Sequence, residues 1–329
     1  MDVLSDVLRT LELSGVIFLR AHLTGEFGVS MPPPTVSHPM VRPQTSEHRL
    51  VMFHIVQEGS GYIEVEGFKP QAIHEGDLII VLGELYHSLV DAPGRPTIAS
   101  SDLVPEFNMC APPAVELGEG KKTLRLVCGL LEFVDRGLNP VFSALPPYLH
   151  ISKDDGPDSS WLQMNLAHII QVAESGRQGT ESLLASLTEL LFVETVRGHL
   201  DTLPASEMGW FAALNDPVLG KALELVHDDP AHGWTVAALA KRVGTSRSAF
   251  SARFAQVLDT TPMAYITSWR IRLATNLLQH SNESIGTVAE RVGYASESAF
   301  NRAFKREMGT PPVAWRNTVA SSRDAERTT

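Results

Sequence analysis

The sequence predicts an α+β chain: a β-barrel first, a helical connector next, and an all-α C-terminal domain with two helix-turn-helix motifs. Three observations predict it. Short apolar segments punctuated by glycine-containing turns fill residues 1–140, apolar helical patterns occupy 161–200, and one phrase occurs twice in the last third. Strand patterning followed by helix patterning separates into layers or domains of unlike class. The expected division is a ligand-holding β domain over 1–140 and a connector, also a candidate dimerisation region, over 141–210. An all-helical domain over 211–320 and a disordered tail over 321–329 follow.

A chain of 329 residues is long enough for two or three domains. Its 43% hydrophobic and 20% charged residues fit a soluble globular protein. No apolar run of about eighteen residues occurs, so no membrane span is expected. The start carries Asp2 and Asp6 and lacks the basic segment of a secretory signal. Two cysteines, Cys110 and Cys128, make no disulfide framework and no zinc-finger spacing, and they suit the cytoplasm. Charge is unevenly spread. Residues 217–329 carry a net +4 and residues 1–216 a net −15, so only the end of the chain is suited to meet a polyanion.

In the first region Leu50–Val56 reads as a strand, Glu58-Gly-Ser-Gly61 as a turn, and Tyr62–Glu66 as an alternating strand ended by Gly67. His74–Asp77 is a second turn, and Leu78–Leu82 is a strand buried on both faces. Short strands at this spacing suggest a sandwich or barrel. Met31–Pro34 and Pro39–Pro43 mark an irregular stretch.

In the connector, Trp161–Ala173 has a broad apolar helical face, Gly176 and Gly179 break it, and Thr180 can cap a second helix carrying Leu183, Leu184, Leu187, Leu190 and Leu191. The pair can cover the barrel or face a second copy. Residues 201–216, with Pro204 and Gly209, read as a joint, and Asp216-Pro217 as the start of a helix.

The repeated phrase has the grammar of a helix-turn-helix. Ala240, Val243, Gly244, Ser246, Phe250, Phe254 and Pro262 align with Ala289, Val292, Gly293, Ser296, Phe300, Phe304 and Pro312. A short helix ends at a glycine able to take the left-handed conformation, a serine caps the next helix, and its phenylalanines form a buried stripe. Outward positions are then Arg247, Ser248, Ser251, Ala252 and Gln256 in the first copy, and Glu297, Ser298, Asn301, Arg302 and Lys305 in the second. Arginine pairs bidentately with guanine and asparagine with adenine in a major groove. The stretch Ala264–Gln279 between them reads as one rigid helix of roughly 24 Å. That spacer suits two recognition helices placed about one turn of DNA apart.

These residues, with Trp234–Ala240, Trp269-Arg270, Arg291–Tyr294, Gly309–Pro312 and Trp315-Arg316, resemble the DNA-binding domain of the AraC/XylS family of transcription regulators. The resemblance implies binding of double-stranded promoter DNA, a homodimer and contact with RNA polymerase. Ser251 and Ala252 stand where that family often has Arg or Gln. Phe53-His54, Gly76-Asp77, Leu126–Gly129 and Leu145–Pro147 resemble the cupin-type sensing domain of some such regulators, which implies a barrel holding a small-molecule effector.

Three readings of the polar residues in that region stay open. Arg20, His22, His54 and His87 are candidates to touch an effector. His54, His87 and Glu58 are the only set suggesting a metal-dependent cupin enzyme, but the chain lacks the His-x-His pair that would place two ligands on one strand face. A buried, hydrogen-bonded His54 is the third reading. No nucleophile elbow, phosphate loop or metalloprotease helix occurs, so no catalytic residue, metal or cofactor is assigned.

Overall fold

The computed structural model describes residues 2–33, 48–83, 85–103, 114–121, 123–134, 139–153, 159–175, 177–203 and 209–318. By contacts the chain divides into two units. One is built from 11–137 and 145–198; the other from 1–10, 138–144 and 199–329. Cys110 and the tail from Ser321 lie outside the described residues.

Among the described residues the first unit is a ten-stranded sheet curled on itself. Its strands are β1 (Glu12–Thr24), β2 (Gly28–Met31), β3 (His48–Val65), β4 (Gln71–His74), β5 (Leu78–Leu82), β6 (His87–Val90), β7 (Ile98–Ala99), β8 (Ala114–Leu117), β9 (Thr123–Val134) and β10 (Tyr148–Ile151). A short helix, α2 (Ser100–Leu103), follows β7.

The turn expected at Glu58–Gly61 is not a hairpin: β3 runs straight through it. Its first half pairs with β9 and β5, its second with β4 and β6. The register slips between Val56 and Glu58, and Gly59 sits at φ 87° with its Cα against the Thr123 carbonyl. A bulge of this kind bends one strand from one side of a barrel to the other. The core inside is apolar: Leu23, Phe27, Val56, Ile63, Ile73, Leu124 and Leu126 are all buried.

Two helices cover the opposite face of the sheet: α4 (Ser159–Ser175) and α5 (Thr180–Thr202). Phe133 packs on Phe192 at 4.8 Å between ring centres, and Gln163 donates to the Gly76 carbonyl at 3.0 Å. Thr180 is the first residue of its helix rather than a cap, and its hydroxyl donates to the Arg177 carbonyl. The inward faces of both helices are buried, whereas Leu183 and Leu190, seven residues apart, stay 44% and 42% exposed.

Among its described residues the second unit is all helical. It contains α1 (Val3–Leu8), α3 (Pro140–Ala144), α6 (Trp210–Asn215), α7 (Leu219–Asp228), α8 (Val236–Arg242), α9 (Arg247–Leu258), α10 (Pro262–His280), α11 (Ile285–Arg291) and α12 (Glu297–Met308). Residues 312–318 form a last helical stretch. The expected joint at 201–216 holds α6, whose Trp210 and Phe211 are buried. The helix expected to open at Asp216-Pro217 starts at Leu219 with Val218 at its cap position, and Asp216 accepts from the amides of Val218 and Leu219 at 2.9 Å each.

Helices α1 and α3 were not visible in the sequence as part of this unit. Val3, Val7 and Val141 are buried, α1 packs on α7, and α3 packs on α6. Asn139 ties the two together, donating to the Val7 carbonyl at 3.3 Å. Beneath α1, His227 stacks on Trp269 at 3.9 Å and shares a 2.9 Å hydrogen bond with Tyr265 Oη. Burial pushes its imidazole down to about 3, so it is neutral.

Candidate nucleic-acid interface and sensor sites

Both helix-turn-helix copies are built the same way. Thr235 and Ser284 cap the first helices, Ser246 and Ser296 the second, each side chain accepting an amide hydrogen. Gly244 (φ 73°) and Gly293 (φ 85°) make the turns. Thr245 N–H donates to the Ala240 carbonyl and Tyr294 N–H to the Ala289 carbonyl, both at 2.9 Å. This closing bond satisfies a carbonyl that the helix end would leave unpaired. Phe250 and Phe254, and Phe300 and Phe304, form edge-to-face pairs at 5.6 and 5.5 Å. Ala240 and Ala289 are buried, letting each helix pair approach closely.

Between the copies, α10 spans 19 residues, close to the expected length. Its Arg270 fastens them to each other. Nε donates to the Pro230 carbonyl at 2.7 Å, Nη2 to His232 at 2.7 Å and Nη1 to Gly293 at 3.1 Å. The second turn is therefore held against the segment that precedes the first motif.

With the phenylalanine stripes inward, Arg247, Ser248 and Ala252 are exposed on α9 and Ser251 is half-buried. On α12, Glu297, Ser298, Arg302 and Lys305 are exposed. Arg302 Nη1 donates to Ser298 Oγ at 2.8 Å, which holds the guanidinium along the outer face. Asn301 is only half-exposed, and its Oδ1 is shielded without a hydrogen-bond partner. It lies on the flank between the buried stripe and the outer face, because position 301 follows Phe300 directly. Arg306, outside the outward set expected from the sequence, is also exposed next to Lys305. Arg253, also on α9, is taken by Asp216, with Nε donating to Oδ2 at 2.7 Å.

The four polar residues expected together in the barrel separate into two pairs. His54 and His87 face inward and meet, Nε2 to Nε2, at 2.9 Å. One ring donates its Nε2 proton to the other's lone pair, so both are neutral. Burial, then the neighbouring imidazole, holds His54 well below the ordinary histidine range, and burial brings His87 to about 4. Cys128 stands opposite His54 on β9, its thiol pushed up to about 12 by burial.

Glu58 does not join the histidines: it is engaged by Arg125 at 3.4 Å. No group of three metal-ligating side chains occurs among the described residues. Two imidazoles in mutual hydrogen-bond contact, with no third donor among the described residues, do not fit the three-ligand site of a metal-dependent barrel enzyme. Arg20 and His22 point the other way. They alternate along β1 with Leu19, Ala21 and Leu23, which pack on the core, and so lie on the outer face.

A family model described as Cupin matches residues 2–201, and one described as a helix-turn-helix domain matches 239–318. An AraC-like transcription regulator of Streptomyces lividans is 32% identical over 317 residues, covering 96% of this chain and 98% of that one.

The chain belongs to the AraC-like transcription regulators.

Other members are similar over the same span. The HTH-type transcriptional regulator AlkR of Acinetobacter baylyi is 29% identical, covering 96% of this chain and 99% of its own. An AraC-like regulator of Streptomyces antibioticus is 30% identical, covering 96% and 98%. As an AraC-like regulator the chain joins an N-terminal cupin-like domain to a DNA-binding helix-turn-helix domain. Among the described residues no helix is long and apolar enough to cross a membrane.

Proposed function

We propose that this protein is a one-component cytoplasmic regulator, not an enzyme, in which a small molecule held by the domain over 1–140 alters how residues 211–320 bind promoter DNA. The observation that carries the DNA half is the pair of capped helices α9 and α12. Each buries a phenylalanine stripe and presents short polar or cationic side chains outward. Arg302 and Lys305 are the strongest contacts, one for a base edge and one for phosphate. Arg247, Ser248, Ser251 and Ala252 supply a smoother surface, and Glu297 and Ser298 line the entry of α12. Asn301 reaches a base only if its amide turns outward.

A route from sensor to DNA is supported by the chain path. Strand β1 follows directly on α1, and α3 follows β9, its antiparallel partner. Val3 and Val7 of α1 and Val141 of α3 are buried in the helical unit. An effector with different affinity for two arrangements of β1 would shift their populations. The exposed Leu183 and Leu190 on α5 support a homodimer formed through the connector region 141–210. RNA polymerase is the further partner expected of an activator.

Selection of DNA from a randomised pool by the full chain tests this reading. It predicts an enriched site with two conserved segments about 10 base pairs apart. A pool with no enriched sequence contradicts it.

A further inference from the structure

Among the described residues, the side chains facing the barrel interior are the apolar core and the His54–His87 pair. On the outer face of the same domain, part of the sheet is left uncovered beside the helices. A cavity of about 230 Å³ opens between strands β1, β8 and β9 and the last turn of α4. Arg20, His22, Gln57, Glu116, Arg125 and Glu174 supply its polar lining. At about 30 Å³ per water molecule it has room for a ligand of several heavy atoms.

Its chemistry is set by what is paired and what is not. Arg20 Nε is buried and has no hydrogen-bond partner. A guanidinium donor shielded from water and left unpaired is costly, so the Arg20 side chain gains by turning toward an acceptor placed in the cleft it lines. His22 stands two residues along the same face and is held by Thr123 Oγ1 at 3.1 Å. Directly across from it on β9 is Arg125, half-exposed and only loosely engaged by Glu58. Two guanidiniums around one cavity match the planar acceptor pair of a carboxylate. Glu116 and Glu174 are both exposed at its rim, and Glu174 already accepts from Gln57 at 3.2 Å. Their charges disfavour a dianion such as phosphate and leave a single carboxylate favoured.

We propose that this outer cleft binds a small monocarboxylate, with Arg20 as its principal partner and Arg125 as the second. That the bound acid also acts as an effector rests on the sensor reading given above; the binding itself does not.

Titration calorimetry on the full chain tests it, using butyrate, its isosteres butyramide and butylamine, and inorganic phosphate. Butyrate should bind saturably, and butyramide, butylamine and phosphate at least about tenfold more weakly. Arg20→Gln should weaken butyrate about tenfold and Arg20→Lys should recover part of the loss. Arg125→Gln, at an exposed position that leaves folding intact, should weaken it several-fold. The proposal is overturned by no saturable binding of butyrate up to about 10 mM. It is also overturned by equal binding of butyramide or phosphate, or by an Arg125→Gln titration identical to wild type. Gel shifts run in parallel separate the two claims: butyrate binding with unchanged DNA affinity keeps the site and removes the effector role.

Discussion

Arg270 and Gly293 are joined by a hydrogen bond of 3.1 Å from the guanidinium to the carbonyl of the second turn, while the same side chain holds the carbonyls of Pro230 and His232. The two motifs are thus fixed by one arginine on the helix between them. The contact is close: a Cβ on Gly293 would meet the Ala231 backbone at 2.6 Å.

The paired glycines therefore differ in what they tolerate. Gly244 and Gly293 have nearly the same φ, but nothing surrounds the Cβ position of Gly244. Gly244→Ala should cost about 1 kcal/mol, the strain of a left-handed alanine. Gly293→Ala adds a backbone clash and should cost about 3 kcal/mol or more. Chemical denaturation of the two variants checks this; equal losses would mean that the second turn is not clamped.

The motifs were legible in the sequence because their determinants are local. Cap, glycine and phenylalanine stripe fall within about a dozen residues, and all appear where expected. The barrel was harder. Gly59 and Gly61 give the same local signal for a hairpin as for a bulge. The choice is made by β9, which packs the Thr123 carbonyl against Gly59 from over sixty residues away. Helix α1 offers too short an apolar pattern, and its partners, α7 and Asn139, lie far along the chain. The meeting of His54 and His87 depends on two strands whose pairing no short window reveals. The outward direction of Arg20 and His22 was readable from their alternation with Leu19, Ala21 and Leu23.

The histidine pair predicts a pH dependence. The folded state holds His87 near 4 and the unfolded chain near 6.5, so the unfolded state takes protons first as pH falls. The stabilisation is complete above about 6.5 and is lost between there and about 4, with His54 acting in the same direction. The loss from His87 is about 3 kcal/mol. Urea midpoints measured across that range should fall steeply for wild type and more gently for the His54→Leu/His87→Leu double variant. Parallel curves would remove the pair as the cause.

Leu190 is exposed on α5, so Leu190→Glu leaves the fold's core untouched. If a second copy covers that stripe, the variant should sediment as a monomer at concentrations where wild type is a dimer, with little change in melting temperature. Wild type and variant sedimenting alike would exclude this face.

Lys305 is exposed beside Arg306 at the end of α12. As a phosphate contact, Lys305→Ala should weaken binding to all sequences alike and reduce the slope of log K against log salt by about 1. An unchanged slope would take Lys305 off the backbone.

The most direct measurement is of Arg302. At fixed salt, the full chain and its Arg302→Ala variant are titrated against a selected operator and a scrambled duplex by fluorescence anisotropy. Entry of α12 into a major groove predicts a loss of about 1–3 kcal/mol on the operator and little on the scrambled DNA. The same affinity for the operator in both proteins would contradict it.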